Sequence, residues 1–433
     1  MSQRNPPLPE LGRVFLVLLA TVFGISFFKA FRLPSLWCAT HFAFNYSQGF
    51  VRRGFVGEVA RRLFGDDVYK YRNFTVFAFL LFIVCAVLFG LAVRRALRAN
   101  PDDWGLRLTL VVFAASPGLV FFIHLVGYFD YLGLLALLLF GLAMPRLKNR
   151  LLSCALALAV GALFILIHEG LAVIFIPSLL FLLVCDTART SQSRNLETKD
   201  WVLLAGQALF IALPLIAFAV FLSTTGAQDR ERVHRLLDFM QRHADFQIRT
   251  DAVDALMRSS AYNLQHILPQ YWALPLSRVR AARDLSSFLP GLAVVIYYGI
   301  ATIRRANLSV AIRRVVMGSF VLAAFSPELM NLVGWDWPRW NGLALITSMV
   351  AILFCKQLLT SGQPFVTPRW LLSLGAVATA ISLASTQMLF DNYCVQYYPF
   401  DIQLDLARRI VAEGFNTRPP GIPQLPCLQN SQF

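Results

Sequence analysis

Four polar segments beside the apolar blocks of the chain bring residue types that do chemistry. The first is the adjacent pair His168–Glu169, set in the middle of a long uncharged run. A carboxylate or imidazole in a partly dry site takes a shifted pKa and can accept a proton from a hydroxyl. The plainer reading of the same pair is a polar turn between two short membrane spans. The second is Asn45-Tyr-Ser-Gln-Gly-Phe-Val-Arg-Arg-Gly-Phe-Val-Gly-Glu58, followed by Arg61 and Arg62. Its paired guanidiniums, Arg52 and Arg53, offer forked, charge-assisted hydrogen bonds suited to phosphate or diphosphate. The alternative is an interfacial helix whose arginines reach lipid headgroups, which suits Arg61 and Arg62 better.

The third segment, Ser326 to Trp340, carries Glu328, Asp336 and Arg339 among tryptophans. Aromatic faces such as Trp340 can stack on a sugar ring while Asp336 or Arg339 touches the substrate. Equally, Asp336 and Arg339 can pair locally, and the tryptophans suit the membrane interface. The fourth joins His124 to Asp130 across Gly127-Tyr128-Phe129. No set of these residues has metal-ligand spacing, and neither a metal nor a cofactor is expected. There is no Walker loop, His-Glu-x-x-His, nucleophile elbow or dinucleotide fingerprint.

The elements that position these groups are membrane helices. Of 433 residues, 57% are hydrophobic and 15% charged, with a mean hydropathy of +0.60. The apolar residues come in blocks long enough to cross a ~30 Å hydrocarbon core. The spacing predicts spans over 12–31, 74–93, 107–126, 130–144, 151–167, 170–185, 201–223, 287–303, 315–333, 341–358 and 370–389. The expected fold is all-α, a polytopic integral membrane protein of about eleven transmembrane helices with a small helical outer-loop subdomain.

Two turns carry that threading. Residues 151–185 as one helix would reach ~52 Å, so the chain must turn at His168–Glu169–Gly170. Residues 107–144 must likewise break at Gly127–Asp130. With both turns, the basic clusters Arg94/Arg95/Arg98, Arg146/Lys148/Arg150, Arg189/Arg194/Lys199, Arg304/Arg305/Arg313/Arg314 and Lys356/Arg369 share one side. That side is cytoplasmic by the positive-inside rule, with the N-terminus inside and the C-terminus outside. The net charge of +15 is thereby largely accounted for, and no nucleic-acid partner is expected.

The domains follow as an N-terminal bundle 1–223 with an arginine-rich outer loop 32–73, an outer helical loop 224–286, helices 287–390 and an outer tail 391–433. The first span lacks a cleavage site and reads as retained. Cys394 and Cys427 share the tail, where an oxidising compartment permits a disulfide, and Cys38 is a competitor. All 6 histidines fall outside, as do Asp130, Glu169, Glu328, Asp336 and Arg339, and ionisable groups at membrane depth are functional by default.

The layout of spans, the arginine-rich first outer loop, the late large loop and the Asp-x-x-Arg-Trp of Asp336 to Trp340 resemble bacterial surface-polysaccharide assembly proteins. The nearest are O-antigen polymerase-like and related polytopic glycosyltransferases. The resemblance implies a polyprenyl-diphosphate-linked glycan as substrate, at the outer face of the inner membrane. It also implies further polysaccharide-assembly proteins as partners. One departure is that the first outer loop is acid-poor up to Glu58, which argues against a metal-dependent polyprenyl-phosphate-sugar class. The expected roles are Glu169, His168 or Asp336 as base, and Arg52, Arg53, Arg339, Asp130, His124 and Trp340 in substrate binding. A flippase or transporter for a lipid-linked or anionic solute is the alternative. A non-catalytic envelope component docking through residues 224–286 is the third.

Overall fold

The computed structural model describes residues 8–147, 149–190, 205–220 (except 207, 210 and 219), 229–258, 262–332 (except 274), 336–359, 367–384, 388–391, 394–397 and 400–416. Along the first half run α1 (Leu8–Ala30), α2 (Leu36–Ala43), α3 (Phe55–Phe64), α4 (Tyr71–Ala99), α5 (Trp104–Ala115), α6 (Pro117–His124), α7 (Asp130–Ala143), α8 (Arg150–Ile167) and α9 (Glu169–Thr190). The second half holds α10 (Arg230–His243), α11 (Thr250–Met257), α12 (Pro275–Arg305), α13 (Val310–Phe325), α14 (Trp337–Leu358), α15 (Arg369–Ala384) and α16 (Phe400–Glu413). Among the described residues the one departure from an all-helical chain is a short antiparallel hairpin in the tail, Met388–Asp391 with Cys394–Tyr397.

Among the described residues, 7 helices are long and apolar enough to cross a membrane, or up to 8 if a bent pair counts as one. That pair is α5 and α6, which meet at 49°. The sequence reading took 107–126 as one span; Ser116 instead caps a new helix by accepting from the Leu119 amide (3.2 Å), with Pro117 in its first turn. Proline is favoured there because its missing N–H is unneeded and its φ is already helical. α7 has 14 residues and α15 has 16, or ~21–24 Å at 1.5 Å per residue, short of a full hydrocarbon core. The expected span 201–223 falls only in part within the described residues.

Both expected turns are present. Leu125–Phe129 separates α6 from α7, with Gly127 at φ 94°, a left-handed conformation that glycine adopts at little cost. His168, extended at φ −166°, separates α8 from α9. α14 is the axis of the bundle: every described side chain from Pro338 to Leu358 except Gln357 is buried, against α4, α6, α9, α12 and α13. Small residues let the helices close up, as usual where apolar burial alone gives no drive in lipid. A Cβ on Gly133 would meet Phe175 at 2.4 Å, and one on Gly141 would meet Phe354 at 2.3 Å.

The two ends of the bundle differ in chemistry. At one end Arg95 donates to the Leu142 carbonyl (3.1 Å) and Asn100 to that of Lys356 (3.2 Å), so the C-termini of α4, α7 and α14 meet beside the basic clusters. Here Lys356 pairs with Asp103 at 2.6 Å, and the Tyr298 hydroxyl donates to the same carboxylate at 2.7 Å. At the other end the start of α9 meets the loop after α2 through Glu169 and Arg53, and the starts of α7 and α14 lie beside α2 itself. Of the expected outer helical loop 224–286, α10 and α11 lie at that end. They form a separate small core, Val233, Leu236, Met240, Val253 and Leu256, against Phe44, Val51 and Tyr69. Its later part is instead absorbed into α12, which begins at Pro275.

Candidate functional site

The loop 44–54 and the turn at His168 bring opposite charges together. Arg53 donates to both oxygens of Glu169, Nε to Oε2 at 3.2 Å and Nη2 to Oε1 at 2.5 Å. Arg52 Nη1 stands 3.8 Å from Oε1, while its Nη2 donates to the carbonyls of Leu256 (2.6 Å) and Arg258 (2.9 Å). The guanidiniums are about 13–14% exposed, the carboxylate 41%. Arg53 is the one non-glycine among the described residues with positive φ, 62°. That conformation costs a non-glycine side chain of order 1 kcal/mol, and strain of this kind concentrates where a side chain must be aimed.

His168 stands beside this pair, with Nδ1 3.9 Å from Glu169 Oε2. That nitrogen accepts the Gly170 amide at 2.9 Å. It therefore carries the lone pair, and the ring proton of neutral His168 sits on Nε2. His168 is a hydrogen-bond donor toward the pocket, which differs from the base role that sequence reasoning gave it.

Arg339 and Asp130 form a second, deeper pair. They are 6% and 0% exposed, joined by Nε–Oδ2 at 2.7 Å and Nη2–Oδ1 at 2.9 Å. Asp336, 31% exposed, reaches Arg339 Nη1 at 3.4 Å. The guanidinium also lies over the rings of Tyr128 (4.9 Å) and Trp340 (4.4 Å). Asp130 and Trp340 thus hold Arg339 in place. His124 is fully buried elsewhere, its Nδ1 3.4 Å from the Ala30 carbonyl, and does not line the pocket.

A small pocket lies between the two charge clusters. Its walls are Trp37, Cys38, His41 and Phe42 of α2, the turn Gly127–Phe129, His168 and Arg339. Trp37 lies against His41 (centroids 3.7 Å) and Tyr128 (5.4 Å). The space holds about one water-sized group. Sequence reasoning passed over His41, Trp37 and Tyr128, whose types are ordinary in an apolar stretch. The signal available was an uncharged run with a histidine next to an arginine-rich loop. Cys38, the competitor for a tail disulfide, is 1% exposed, and burial pushes its pKa up to about 12 against an opposing hydrogen bond from Ser35. Cys427, and the side chain of Cys394, lie outside the described residues.

Of the other residues flagged, Arg61 and Arg62 pair with buried Glu58 (3.1 and 2.6 Å). Glu328 accepts from Asn331 at 2.6 Å.

Burial, then the field of Arg53, pushes His168 well below the ordinary imidazole value of 6.5, with Glu169 opposing. Burial and Arg53, His168 and Arg339 push His41 the same way, again against Glu169. A depressed folded pKa means the unfolded chain binds more protons below about pH 6.5, so stability falls as pH drops through that range. The unfolding midpoint in detergent should fall from about pH 7.5 to about pH 5.5, and less steeply in His41→Gln/His168→Gln. The same slope in wild type and double variant would contradict these environments.

A family model for an uncharacterised membrane protein, Rv1490, matches residues 12–228, just over half of the chain. The match includes Trp37, His41, Arg52, Arg53, Asp130, His168 and Glu169, while Asp336 and Arg339 lie beyond it. No curated protein and no solved structure matches.

Proposed function

The chain belongs to the Rv1490 family of membrane proteins, and from its paired arginines we propose that it transfers a glycosyl unit from a polyprenyl-diphosphate-linked glycan at the outer face of the inner membrane. The observation that carries this is Arg53, held in a strained conformation with its guanidinium on Glu169 and Arg52 beside it. Two adjacent guanidiniums beside one half-exposed carboxylate, with Arg52 also anchored on the carbonyls of Leu256 and Arg258, make a site for an anion of higher charge. A diphosphate outcompetes Glu169 for them, and the freed carboxylate then faces the reacting sugar.

In this reading the bond from the anomeric carbon to phosphate oxygen breaks while an acceptor hydroxyl bonds to that carbon. Arg52 and Arg53 neutralise the departing diphosphate. Arg339 lines the pocket wall, fixed and neutralised by Asp130 and Asp336, and His168 donates from Nε2. Most of the rate comes from orientation and from charge already in place. In this reading the N-terminus is inside and this end of the bundle faces outside. The gathering of basic clusters at the opposite end supports that orientation.

The packing of α14 favours a one-sided site over a transport path. Between Arg339 and Lys356 the axis is filled by buried Leu343, Ile346, Met349, Val350, Leu353 and Phe354. Cells carrying Arg52→Ala or Arg53→Ala at unchanged membrane levels should retain their lipid-linked glycan and show roughly 100-fold less surface product. Normal surface glycan in both variants would remove the reading.

A further inference from the structure

We propose that His41 is the general base of this site, and that the space between His41 and His168 receives the acceptor hydroxyl. The inference rests on the transferase reading above and adds the group that activates the nucleophile. His168 is the histidine that the sequence offers, but its Nδ1 is taken by the Gly170 amide at 2.9 Å. It can only donate.

His41 differs in each respect. It is 2% exposed, lines the same pocket, and its Nε2 has no hydrogen-bond partner. Its ring is fixed by Trp37 at 3.7 Å, Phe44 at 5.0 Å and Phe129 at 5.9 Å. A buried polar atom usually has a partner, and the pocket that His41 helps to line has room for about one hydroxyl. A hydroxyl there can accept from His168 Nε2–H and give its own proton to His41 Nε2.

The charged and titratable groups facing His41 are Arg53, His168, Arg339 and Glu169. The first three keep the imidazole neutral, the state a base requires. A diphosphate on Arg52 and Arg53 adds negative charge there and raises the ring's affinity for a proton as the reaction begins. The acceptor O–H bond breaks, with its proton going to Nε2. The oxygen bonds to the anomeric carbon, and the carbon–phosphate-oxygen bond breaks with its electron pair leaving on the diphosphate. His41 then returns its proton to water.

Membranes carrying the full chain, with their polyprenol labelled by a 14C isoprenoid precursor, report conversion of lipid-linked glycan to free polyprenyl diphosphate. His41→Ala should lower that turnover about 100-fold, the usual scale for a general base. Added imidazole should restore at least about tenfold of the loss, following the neutral fraction of imidazole as pH is varied. Arg53→Ala should lose turnover without rescue, and His41→Gln should stay inactive at the wild-type unfolding midpoint. Full turnover in His41→Ala beside loss in Arg53→Ala would overturn the base assignment and leave the transferase reading standing. Loss that imidazole does not restore would give His41 a packing role and overturn the assignment too. Full turnover in both variants would remove the transferase reading and the base with it.

Discussion

Arg53→Gly is expected to unfold at a higher temperature than Arg53→Ala while losing the same activity. Both substitutions remove the guanidinium that holds Glu169 at 2.5 and 3.2 Å. Removing a positioned charge donor of this type costs about 10²–10³-fold in rate. Only glycine also relieves the left-handed backbone at φ 62°, a gain of about 1 kcal/mol over alanine. The lost ion pair weighs little on stability, since Glu169 is 41% exposed and pairs open to water contribute about 0–1 kcal/mol. Thermal unfolding in detergent beside a surface-glycan assay separates the two effects. A glycine variant that is both less stable than the alanine variant and fully active would mean that Arg53 serves the loop and not a ligand.

Asp130→Ala should be far more damaging to the fold. Arg339 is 6% exposed and its two strongest partners are the oxygens of Asp130. Removing the carboxylate leaves a buried cation with Asp336 at 3.4 Å as its remaining carboxylate contact. Breaking a buried pair in this way costs about 3–5 kcal/mol, a large part of the usual stability of a domain. The expected result is low yield and early unfolding. Asp130→Ala/Arg339→Leu, which removes both charges, should recover much of the loss. If the single variant unfolds with the wild type, the pair contributes nothing to holding α7 against α14.

The difference between these residues explains which parts of the site were legible in the sequence. Arg52, Arg53 and Glu169 stood out because a charge inside or beside an apolar run has few structural excuses. The turns at Gly127 and His168 followed from length alone, since a bilayer limits how far a helix can run. Asp130 and Arg339 were visible as charges, but their mutual pairing was not. They lie in α7 and α14, and nothing in one sequence says that those helices touch.

His41 was hidden for another reason. Its helix, Leu36–Ala43, is too short to show a period, and a histidine between alanines and phenylalanines reads as filler. It matters only because the Gly127–Phe129 turn and His168 close over it. The break at Ser116–Pro117 was readable in principle, as a serine before a proline is a helix start. The surrounding apolar run obscured it. The upstream extension of α12 was missed because its first turns carry charges and read as loop.

The central claim is that Arg52 and Arg53 form a diphosphate site whose resting occupant is Glu169. Titrating farnesyl diphosphate into the full chain in lipid nanodiscs tests it most directly. The account predicts saturable, salt-sensitive binding that weakens at least about tenfold in Arg53→Ala, as loss of one charge-assisted contact implies. It also predicts tighter binding in Glu169→Gln, where the competing carboxylate is gone. Equal affinity in wild type, Arg53→Ala and Glu169→Gln would contradict it.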